Sequence, residues 1–419
     1  MNILIKGVQL NGNTRDIFIK DGTIEEISEN CIRKADKTID AKNKAALPSL
    51  INGHTHAATA LFRGYADDMP LKAWLEDKIW PLEAKLTEED IYWGSKFACL
   101  EMIKNGITVF NDMYWFWEAT AKAVCDMGVR GFISAVFIDM FDKNKGEEQI
   151  ELNLKLFELS EKYEPYVTFT FGPHAVYTVC RESLQWMRDF SEKHNILIHM
   201  HLSETGEETK FSQEKYGLSP TEFLNSTGIL SERFIGCHGC WLDENDCIIL
   251  KNNNAKLVHV PVSNLKLSVG KIFPYHLVKN RLNIPFCFGT DGCASNNHLD
   301  IIETMKYASL LAKFSTNNPT MLPARETFDL ATKTAASIFF LPEWEIKIGN
   351  SPDIILIDLS RPELNPGLDI YSDIVYASNG YIVDTVICMG KVLMENRYVP
   401  GEEEIIKQAR KTTESLVSR

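Results

Sequence analysis

The chain has 419 residues, of which 45% are hydrophobic and 24% are charged, a composition typical of globular proteins with large buried cores. Its formal net charge of -13 argues against a nucleic-acid partner, because affinity for a phosphate backbone depends on Lys and Arg side chains. Ten scattered cysteines favour a reducing compartment. No leader pattern and no apolar run of membrane-spanning length is found, so we expect a cytoplasmic protein without a membrane partner.

Both ends of the chain are rich in short strand-like runs. In residues 1–47 these runs alternate with turn signals such as Asn11-Gly12 and Asp21-Gly22, which predict antiparallel hairpins. Residues 346–419 return to a turn-rich β pattern and close with a polar helix at about residues 402–417. We expect the two ends to pair as one small composite β-sandwich domain.

The middle of the chain, residues 48–345, alternates buried apolar runs with amphipathic segments, which is typical of a parallel sheet built from βα units. Eight strands can be assigned, with the first run reaching back to Ala45: Ala45–His56, Gly106–Met113, Arg130–Ile138, Val167–Val176, Ile196–Glu204, Phe234–Cys240, Lys256–Asn264 and Pro285–Gly292. Helical patterns between them include Glu88–Lys104, Ala119–Met127, Gln149–Lys162 and Arg181–His194.

Eight strands with intervening helices predict an α/β protein whose catalytic domain is a closed, metal-dependent (β/α)8 TIM-like barrel. The expected barrel length of about 250 residues fits this interval. A doubly wound sheet is the alternative, but no G-x-G-x-x-G follows the first strand.

The first barrel strand ends in two histidines one residue apart. Side chains alternate faces along a strand, so His54 and His56 point to the same side and form half of a potential metal site. In a barrel of this kind the active-site residues come from the carboxyl ends of the strands. Those ends supply further candidates: His174 on strand 4, His201 with Glu204 on strand 5, His238 on strand 6 and Asp291 on strand 8.

Three imidazoles and one carboxylate suit a divalent ion such as Zn²⁺, with Fe²⁺ or Mn²⁺ as alternatives and one position left open for water. We therefore expect His54, His56, His201 and Asp291 to bind the metal. His199 lies on the same strand face as His201 but further from the strand end, and is expected to support the site or pack beside it. Glu204 and His238 are candidates for moving protons. The end of strand 4, Phe171-Gly-Pro-His174, offers no lysine to bridge two metals, which favours a single ion.

These residues together resemble the amidohydrolase superfamily. Within it, the chain is similar to the 5-methylthioadenosine/S-adenosylhomocysteine deaminase family and its adenosine-deaminating relatives. The similarity runs nearly end to end and is densest in Phe62-Arg-Gly-Tyr-Ala-Asp-Asp68, Trp74-Leu-Glu-Asp-Lys-Ile-Trp-Pro-Leu-Glu-Ala-Lys-Leu-Thr87, His201-Leu-Ser-Glu-Thr205, Ser263-Asn-Leu-Lys-Leu267 and Gly289-Thr-Asp-Gly-Cys-Ala-Ser-Asn-Asn297.

The resemblance implies a zinc-dependent hydrolytic deaminase acting on a cyclic amidine, namely C6 of the adenine ring in a small nucleoside. Glu204 would protonate N1 of the ring, and Asp291 or His238 would relay the proton that releases ammonia. Glu83 would hold the ribose hydroxyls, His174 would contact the nucleoside, and Trp74 would wall the pocket. Glu204 and Asp291 would therefore also contact the substrate.

The chain departs from the family where S-adenosylhomocysteine is concerned. Members that accept it are expected to carry arginines near strand 3 and its following loop, which clamp the amino-acid carboxylate. By approximate alignment those places hold Ala135 and Gln149, and Arg130 lies at the other end of the strand. We therefore expect adenosine, 5'-deoxyadenosine or 5'-methylthioadenosine as substrate, and S-adenosylhomocysteine to be disfavoured.

Three alternatives remain open at this point. The enzyme could deaminate another heterocycle, such as guanine, a pterin or an oxidised purine, or cleave an amide or carbon–halogen bond with the same metal. A barrel that has lost catalysis and serves as an assembly protein is the remote alternative, because all four ligands are present. We also expect a homo-oligomer.

Overall fold

The N-terminal segment forms five strands. The computed structural model describes residues 1–69 and 71–419. The five N-terminal strands are β1 (Ile3–Leu10), β2 (Asn13–Lys20), β3 (Thr23–Ser28), β4 (Lys37–Asp40) and β5 (Lys44–Pro48). Asn11 and Gly12, between β1 and β2, both have positive φ, as the twist of a tight hairpin requires. The turn signals read from the sequence are therefore real turns.

Nine further strands form the barrel: β6 (Leu50–Thr55), β7 (Ile107–Tyr114), β8 (Arg130–Phe137), β9 (Val167–Phe169), β10 (Gly172–Pro173), β11 (Ile198–Leu202), β12 (Phe234–His238), β13 (Lys256–His259) and β14 (Phe286–Phe288). All neighbours pair in parallel, and β9 and β10 together make the fourth barrel strand. A parallel bridge from Phe171 to Ile198 joins the two halves. The His54 carbonyl accepts hydrogen bonds from the Thr290 and Asp291 amides at 3.1 and 3.0 Å, which closes the barrel.

The last three strands, β15 (Ile354–Asp358), β16 (Val383–Cys388) and β17 (Lys391–Met394), join the N-terminal ones. They form one eight-stranded sheet in the order β17-β16-β15-β5-β1-β2-β3, with β4 beside β1. β15 pairs antiparallel with β5, with Leu356 opposite Ala46. Strands from both ends of the chain therefore share one sheet, while the domain boundaries near residues 47 and 345 remain predictions.

Several predicted strands are wrong in their extent. The run Lys256–Asn264 ends at His259, because Pro261–Lys266 is helical, and the run Pro285–Gly292 is a strand only over Phe286–Phe288. The run Ala45–His56 is divided at Ser49, because its first part pairs with β15 in the small sheet and its second part with β7 in the barrel. The Ser49 amide donates to the Asp353 carbonyl at 3.1 Å, where the chain passes from one sheet to the other. The run Val167–Val176 is likewise interrupted, between β9 and β10.

The described part of the chain contains fifteen α-helices, besides short 3-10 and π segments: α1 (Leu71–Trp74), α2 (Trp80–Glu83), α3 (Glu88–Lys104), α4 (Trp117–Met127), α5 (Lys143–Ser160), α6 (Arg181–His194), α7 (Gly206–Tyr216), α8 (Pro220–Thr227), α9 (Glu244–Asn252), α10 (Pro261–Lys266), α11 (Ile301–Thr316), α12 (Ala324–Ala331), α13 (Lys333–Ile338), α14 (Ile370–Ser372) and α15 (Glu402–Ser418). α3 begins where predicted, because Thr87 and Asp90 form a capping box. α5 begins earlier than the predicted Gln149, because Asp142 caps it at residue 143. Within the described residues, no helix has both the length and the apolar character needed to cross a membrane.

The barrel strands are buried on both faces, as expected for parallel strands covered by helices. Every residue of β6 and β7 is buried. The interior is filled by an apolar cluster that includes Ile51, Val109, Ile235 and Val258, and Trp344 belongs to the same cluster. Polar side chains are thereby left to the carboxyl ends of the strands, where the candidate site lies.

Candidate active site

Four predicted metal ligands converge at the carboxyl ends of β6, β11 and β14. His54 is completely buried, and His201 and Asp291 are nearly so. The Nε2 atoms of His54 and His56 lie 3.5 and 3.3 Å from Oδ1 of Asp291. His54, His56 and His201 each offer a ligand atom within 4.8 Å of the others. The strand-end rule therefore brings together residues that are far apart in the sequence.

Backbone carbonyls determine which nitrogen of two histidines is protonated. The Nδ1 atom of His56 lies 2.7 Å from the Met113 carbonyl, and that of His201 lies 2.8 Å from the His174 carbonyl. A carbonyl can only accept, so each Nδ1 donates and each Nε2 carries a lone pair. These two Nε2 atoms are 3.3 Å apart. Two facing lone pairs are the arrangement that a shared cation satisfies, so the donor set fits a metal ion.

His54 is held in its neutral form. Burial lowers the pKa of His54 from 6.5 to about 4, although the nearby Asp291 carboxylate works in the opposite direction. Its Nδ1 atom lies 2.8 Å from Nε2 of His199, and its own buried Nε2 has no hydrogen-bond partner among the described residues. Neutral imidazole is the ligand form of histidine. His199 therefore orients His54 from behind, in agreement with the supporting position expected from the sequence.

Asp291 is oriented by hydroxyl groups from two loops. Its Oδ2 atom accepts hydrogen bonds from the Ser263 and Ser295 hydroxyls at 2.6 and 2.9 Å, while Oδ1 faces the histidines. Burial by itself raises the pKa of this carboxyl, but the neighbouring His54 and His56 imidazoles outweigh it and hold the pKa well below the usual value. Asp291 is therefore ionised, with Oδ1 turned towards the histidines and Oδ2 already hydrogen-bonded.

His238 presents an unprotonated nitrogen to the same cavity. Its Nδ1 lies 2.8 Å from Oδ1 of Asn264, whose amide NH₂ donates to Cys240 Sγ, so Nδ1 of His238 is the donor. Its buried Nε2 has no hydrogen-bond partner among the described residues. Burial lowers the pKa of His238, but the nearby carboxylates of Glu204 and Asp291 outweigh this effect and raise it. His238 is therefore suited to accept a proton at Nε2.

Glu204 is a buried carboxyl group with a raised pKa. Burial is the main cause, the negative charge of Asp291 adds to it, and the charge of His238 opposes it. Its Oε1 atom lies 3.7 Å from Nδ1 of His238. Glu208 accepts hydrogen bonds from the Ser203 and Glu204 amides at 2.9 and 2.8 Å, which fixes the backbone that carries Glu204. Glu204 is therefore placed to exchange a proton with a group bound beside the ligand cluster.

The remaining predicted residues surround this centre. His174 has its ring centroid 5.0 Å from that of His201, and burial lowers its pKa to about 4. Glu83 accepts a hydrogen bond from the Tyr114 hydroxyl at 2.7 Å, and burial raises the pKa of Glu83. Trp74 is buried in an apolar cluster that also contains Tyr114. His174 is thereby in direct ring contact with His201, whereas Glu83 is linked to the site through its hydrogen bond with Tyr114.

Sequence reasoning missed Tyr114, Asn264, Glu208 and the two serines that bind Asp291. Tyr114 ends β7, and its ring centroid is 6.0 Å from that of His56. Its position directly after the predicted second strand, Gly106–Met113, is the signal that could have identified it. Ser263, Asn264 and Ser295 lie in segments that the resemblance had already singled out, but only the folded chain places them beside Asp291 and His238.

The residues named for the carboxylate clamp lie elsewhere. Ala135 is a buried residue of β8 and pairs with Tyr114. Gln149 lies on α5, and its Oε1 atom is buried without a hydrogen-bond partner among the described residues. Arg130 pairs with Asp353 at 2.8 Å and covers the ring of Trp344, at the opposite end of β8 from the site. Ala135 and Gln149 carry no guanidinium group, and the guanidinium of Arg130 does not reach the cavity.

Comparison with known proteins is consistent with this geometry. The amidohydrolase family model matches residues 45–393. A 5'-deoxyadenosine deaminase from Methanospirillum hungatei is 44% identical, covering 99% of this chain and 94% of its own, and a 5-methylthioadenosine/S-adenosylhomocysteine deaminase from Archaeoglobus fulgidus is 42% identical, covering 98% and 95%.

Solved structures agree. An adenosine deaminase from Xanthomonas campestris with bound zinc superimposes with a TM-score of 0.93 at 29% identity, covering 100% of this chain and 99% of its own. A triazine hydrolase variant superimposes with a TM-score of 0.89 at 21% identity, covering 98% and 99%, and is similar in fold alone. The chain therefore belongs to the amidohydrolase family and is a metal-dependent enzyme.

Proposed function

We propose that the chain catalyses hydrolytic deamination at C6 of an adenosine-type nucleoside, giving the inosine analogue and ammonia. The observation that carries this proposal is the pair Glu204 and His238 beside the ligand cluster: a carboxyl group whose pKa is raised by burial, and an imidazole with a free lone pair. One can give a proton to the ring while the other takes one from water. The relatives named as deaminases of adenosine derivatives support the substrate class.

His54, His56, His201 and Asp291 would hold one divalent ion. Zn²⁺ is the first choice because three imidazoles and a carboxylate suit it and because the Xanthomonas campestris neighbour contains zinc; Fe²⁺ and Mn²⁺ are accepted by similar ligands. When bound, such an ion supplies Lewis acidity that brings the pKa of a coordinated water close to neutral. The absence of a lysine after β10 favours a single ion.

Proton transfer follows from the polarity of the reaction. When the oxygen of water adds to C6, an electron pair moves to N1 of the purine, and Glu204 donates its proton there. His238 accepts the proton that the water loses at its Nε2 atom and returns it to the departing amino group, with Asp291 assisting this relay. The C6–N bond then breaks and ammonia leaves. The C6 hydroxyl gives its remaining proton to Glu204, which restores the acid, and C6 retains the oxygen as a carbonyl.

The nucleoside would be held by Glu83, His174 and Trp74. A carboxylate can accept hydrogen bonds from two ribose hydroxyls, and the Tyr114 hydroxyl fixes the orientation of Glu83. His174 would contact the nucleoside from the fourth strand, and Trp74 would contribute an aromatic wall. With Ala135 and Gln149 in place of arginines, a distal carboxylate finds no guanidinium group at these two positions, which favours adenosine, 5'-deoxyadenosine and 5'-methylthioadenosine over S-adenosylhomocysteine.

A substrate panel with a matched variant tests the proposal. Ammonia release is measured for the four adenosine derivatives, guanine, a pterin, an oxidised purine and a cyclic amide, with metal content determined on the same samples. We expect turnover of the adenosine derivatives alone, and Glu204→Gln to lower kcat by at least about a thousandfold while retaining the metal. Preference for a free base or amide would contradict the substrate class. Loss of metal in Glu204→Gln would contradict the role of Glu204.

A further inference from the structure

Residues 63–68 connect the first barrel strand to two helices that carry proposed nucleoside-binding residues. They lie between β6 and α1, which ends at Trp74, and α2 follows and ends at Glu83. We call residues 63–68 the linking segment. Gly64 and Asp68 have φ of 72° and 60°, so the segment is neither helical nor extended at these points and needs contacts with other parts of the chain to fix its path. The position of α1 and α2 depends in part on those contacts.

Arg63 holds the start of the linking segment. Its guanidinium group pairs with the Glu101 carboxylate of α3 and donates a hydrogen bond to Cys293 Sγ at 3.2 Å. Glu101 in turn accepts a hydrogen bond from the Leu299 amide at 3.0 Å. Cys293 and Leu299 belong to the loop that follows β14 and carries Asp291. The start of the linking segment is therefore bound to the loop that supplies a proposed metal ligand.

Asp67 holds the other end of the linking segment. Its Oδ1 atom lies 2.5 Å from Nζ of Lys266, and its Oδ2 atom accepts a hydrogen bond from Nδ2 of Asn297 at 3.2 Å. Lys266 also donates to Oδ1 of Asn297, which closes a triangle of contacts. The hydrogen bond from Lys266 is the main cause that lowers the pKa of Asp67 below its usual value. We call Asp67, Lys266 and Asn297 the polar bridge.

The polar bridge joins three segments that leave the carboxyl ends of barrel strands. The linking segment follows β6, and Asn297 lies in the loop after β14, which carries Asp291. Lys266 is the last residue of α10, which follows β13 and carries Ser263 and Asn264. The bridge therefore connects the helices proposed to hold the nucleoside with the loops that carry and orient the proposed metal ligand Asp291.

An apolar cluster joins the same three segments. It contains Ala66 of the linking segment, Trp74 of α1, Leu267 after α10 and Ala294 after β14. Apolar contacts are non-directional, so they favour contact between the segments without fixing how far one slides along another. The hydrogen bonds of the polar bridge have fixed partners and narrow distances. The bridge is therefore the element that sets the relative position of the segments.

Stability of the fold is a weak explanation for the bridge. The side chains of Lys266 and Asp67 are 25% and 34% exposed, and ion pairs in contact with solvent contribute little to the free energy of unfolding. Their effect is expected instead in the geometry of the groups that they join.

We propose that Lys266 is a positioning residue for the reaction, and that the polar bridge sets the distance of Glu83 and Trp74 from the metal ligands. This inference rests on the proposed function, in which Glu83 holds the ribose while Asp291 binds the ion beside the base. A nucleoside has to contact both groups at once, so its affinity depends on a spacing that neither group controls by itself. Lys266 acts through that spacing and does not bind the substrate.

Steady-state kinetics of Lys266→Met test the proposal. The substitution removes the ammonium group and keeps an unbranched side chain. We expect KM for 5'-deoxyadenosine to rise about fivefold, because binding now has to order the linking segment as well, while kcat changes by less than about twofold. Metal content should be unchanged. Glu204 and His238, which move the protons, follow or end strands that the bridge does not join.

Exchanging the charges provides a gain of function that a folding defect cannot produce. Asp67→Lys alone places two ammonium groups together and should raise KM more than Lys266→Met does. Combining Asp67→Lys with Lys266→Asp restores an opposite pair. Asn297 accommodates it, because a rotated amide presents its donor and its acceptor the other way round. We expect the double variant to return KM to within about twofold of the wild-type value.

Ionic strength gives a second, independent readout. The proposed substrates are uncharged, so added salt does not screen their attraction to the enzyme, whereas it weakens a partly exposed ion pair. KM of the wild type should therefore rise between about 0.05 and 0.5 M KCl, where the Debye length falls well below 10 Å. Lys266→Met should show a much smaller rise.

A lysine at the other end of the barrel serves as the matched control. Lys333 lies 2.5 Å from the Glu345 carboxylate, and both side chains are exposed to a similar degree as those of the polar bridge. Glu345 follows Trp344, whose ring is covered by Arg130 at the start of β8, away from the candidate site. Lys333→Met should keep the KM and the salt dependence of the wild type.

The outcomes separate the two proposals. A wild-type enzyme that deaminates no adenosine derivative contradicts the proposed function. An active enzyme with the same KM and salt dependence in Lys266→Met as in the wild type contradicts the positioning role alone. So does a charge-exchanged double variant that stays as impaired as Asp67→Lys. Loss of metal in Lys266→Met would also overturn the proposal, because the bridge would then support the metal ligands rather than the spacing.

Discussion

Two backbone carbonyls determine the chemistry available to the candidate metal site. The Met113 and His174 carbonyls each accept a hydrogen bond from Nδ1 of a histidine, so the Nε2 atoms of His56 and His201 both face the cavity as acceptors. Because these partners are main-chain atoms, no single side-chain substitution removes them. The tautomers are therefore properties of the barrel itself.

Glu208 makes stability depend on pH in a defined direction. Burial raises the pKa of Glu208 from 4.5 to about 7. The folded chain therefore keeps a proton that the unfolded chain loses, so the contribution of this group is complete below about pH 4.5 and is lost as pH rises through about 7. The shift corresponds to a loss on the order of 3 kcal/mol in the free energy of unfolding.

Urea unfolding at pH 5 and pH 7.5 measures this effect. We expect the difference in the free energy of unfolding between these two pH values to be smaller in Glu208→Gln by the amount that Glu208 contributes, whatever the stability of the variant at pH 5. Glu207→Gln, at the exposed neighbouring position on α7, serves as the control and should retain the wild-type difference. Equal differences in wild type and Glu208→Gln would contradict the assignment.

At the residue scale, the sequence could predict which ligands meet but not how they are oriented. His54, His56, His201 and Asp291 follow from strand alternation and from the rule that active-site residues lie at strand ends. The positions of Ser263 and Asn264 could not be predicted, because their partners come from strands and loops that meet only in the closed barrel. The roles proposed for all of these residues still depend on the experiments above.

At the scale of elements, the segment that follows β14 packs closely against β6. A Cβ atom on Gly289 would lie 2.7 Å from the His54 Cβ and 2.9 Å from its backbone nitrogen. Backbone atoms cannot move aside as a flexible side chain can. Gly289→Ala should therefore displace His54, weaken metal affinity by about 10- to 100-fold and cost about 1–3 kcal/mol of stability.

Chelator competition and urea unfolding measure these two effects separately. Gly131→Ala is the control, because its Cβ would meet the Ile133 Cδ1 at 2.6 Å near the start of β8, away from the metal ligands. It should lower stability but leave metal affinity unchanged. Unchanged metal affinity in Gly289→Ala would indicate that His54 is not a ligand.

Element boundaries were predictable where a local signal exists. The capping box at Thr87 placed the start of α3 correctly, and Asn11-Gly12 correctly predicted a hairpin. The division of the first strand at Ser49 was not predictable, because the apolar run continues through it. The two parts of the run differ only in their pairing, because β5 pairs with β15 and β6 pairs with β7.

For the whole molecule, metal binding should contribute measurably to stability. Removing the ion would leave two acceptor nitrogens facing each other in a buried cavity. A ligand at one hundred times its Kd stabilises the folded state by about 2.7 kcal/mol, so Tm should rise by a few degrees when Zn²⁺ is added back to the metal-free protein.

Thermal unfolding of metal-free protein with increasing Zn²⁺ measures this contribution. His56→Ala should abolish the increase in Tm, whereas His194→Ala, at an exposed position at the end of α6, should retain it. A Tm that is independent of zinc in the wild type would contradict the proposed metal site.

The shared sheet also imposes an order on folding. Ala46 of β5 pairs with Leu356 of β15, which lies far along the chain. The strand that leads into the first barrel strand therefore lacks one neighbour until nearly the whole barrel has been synthesised. At about 5–20 residues per second, synthesis of the intervening chain takes tens of seconds, during which β5 is an unpaired edge. Completion of the small sheet is thus a late event, and the same strand pair links the assembly of both parts of the chain.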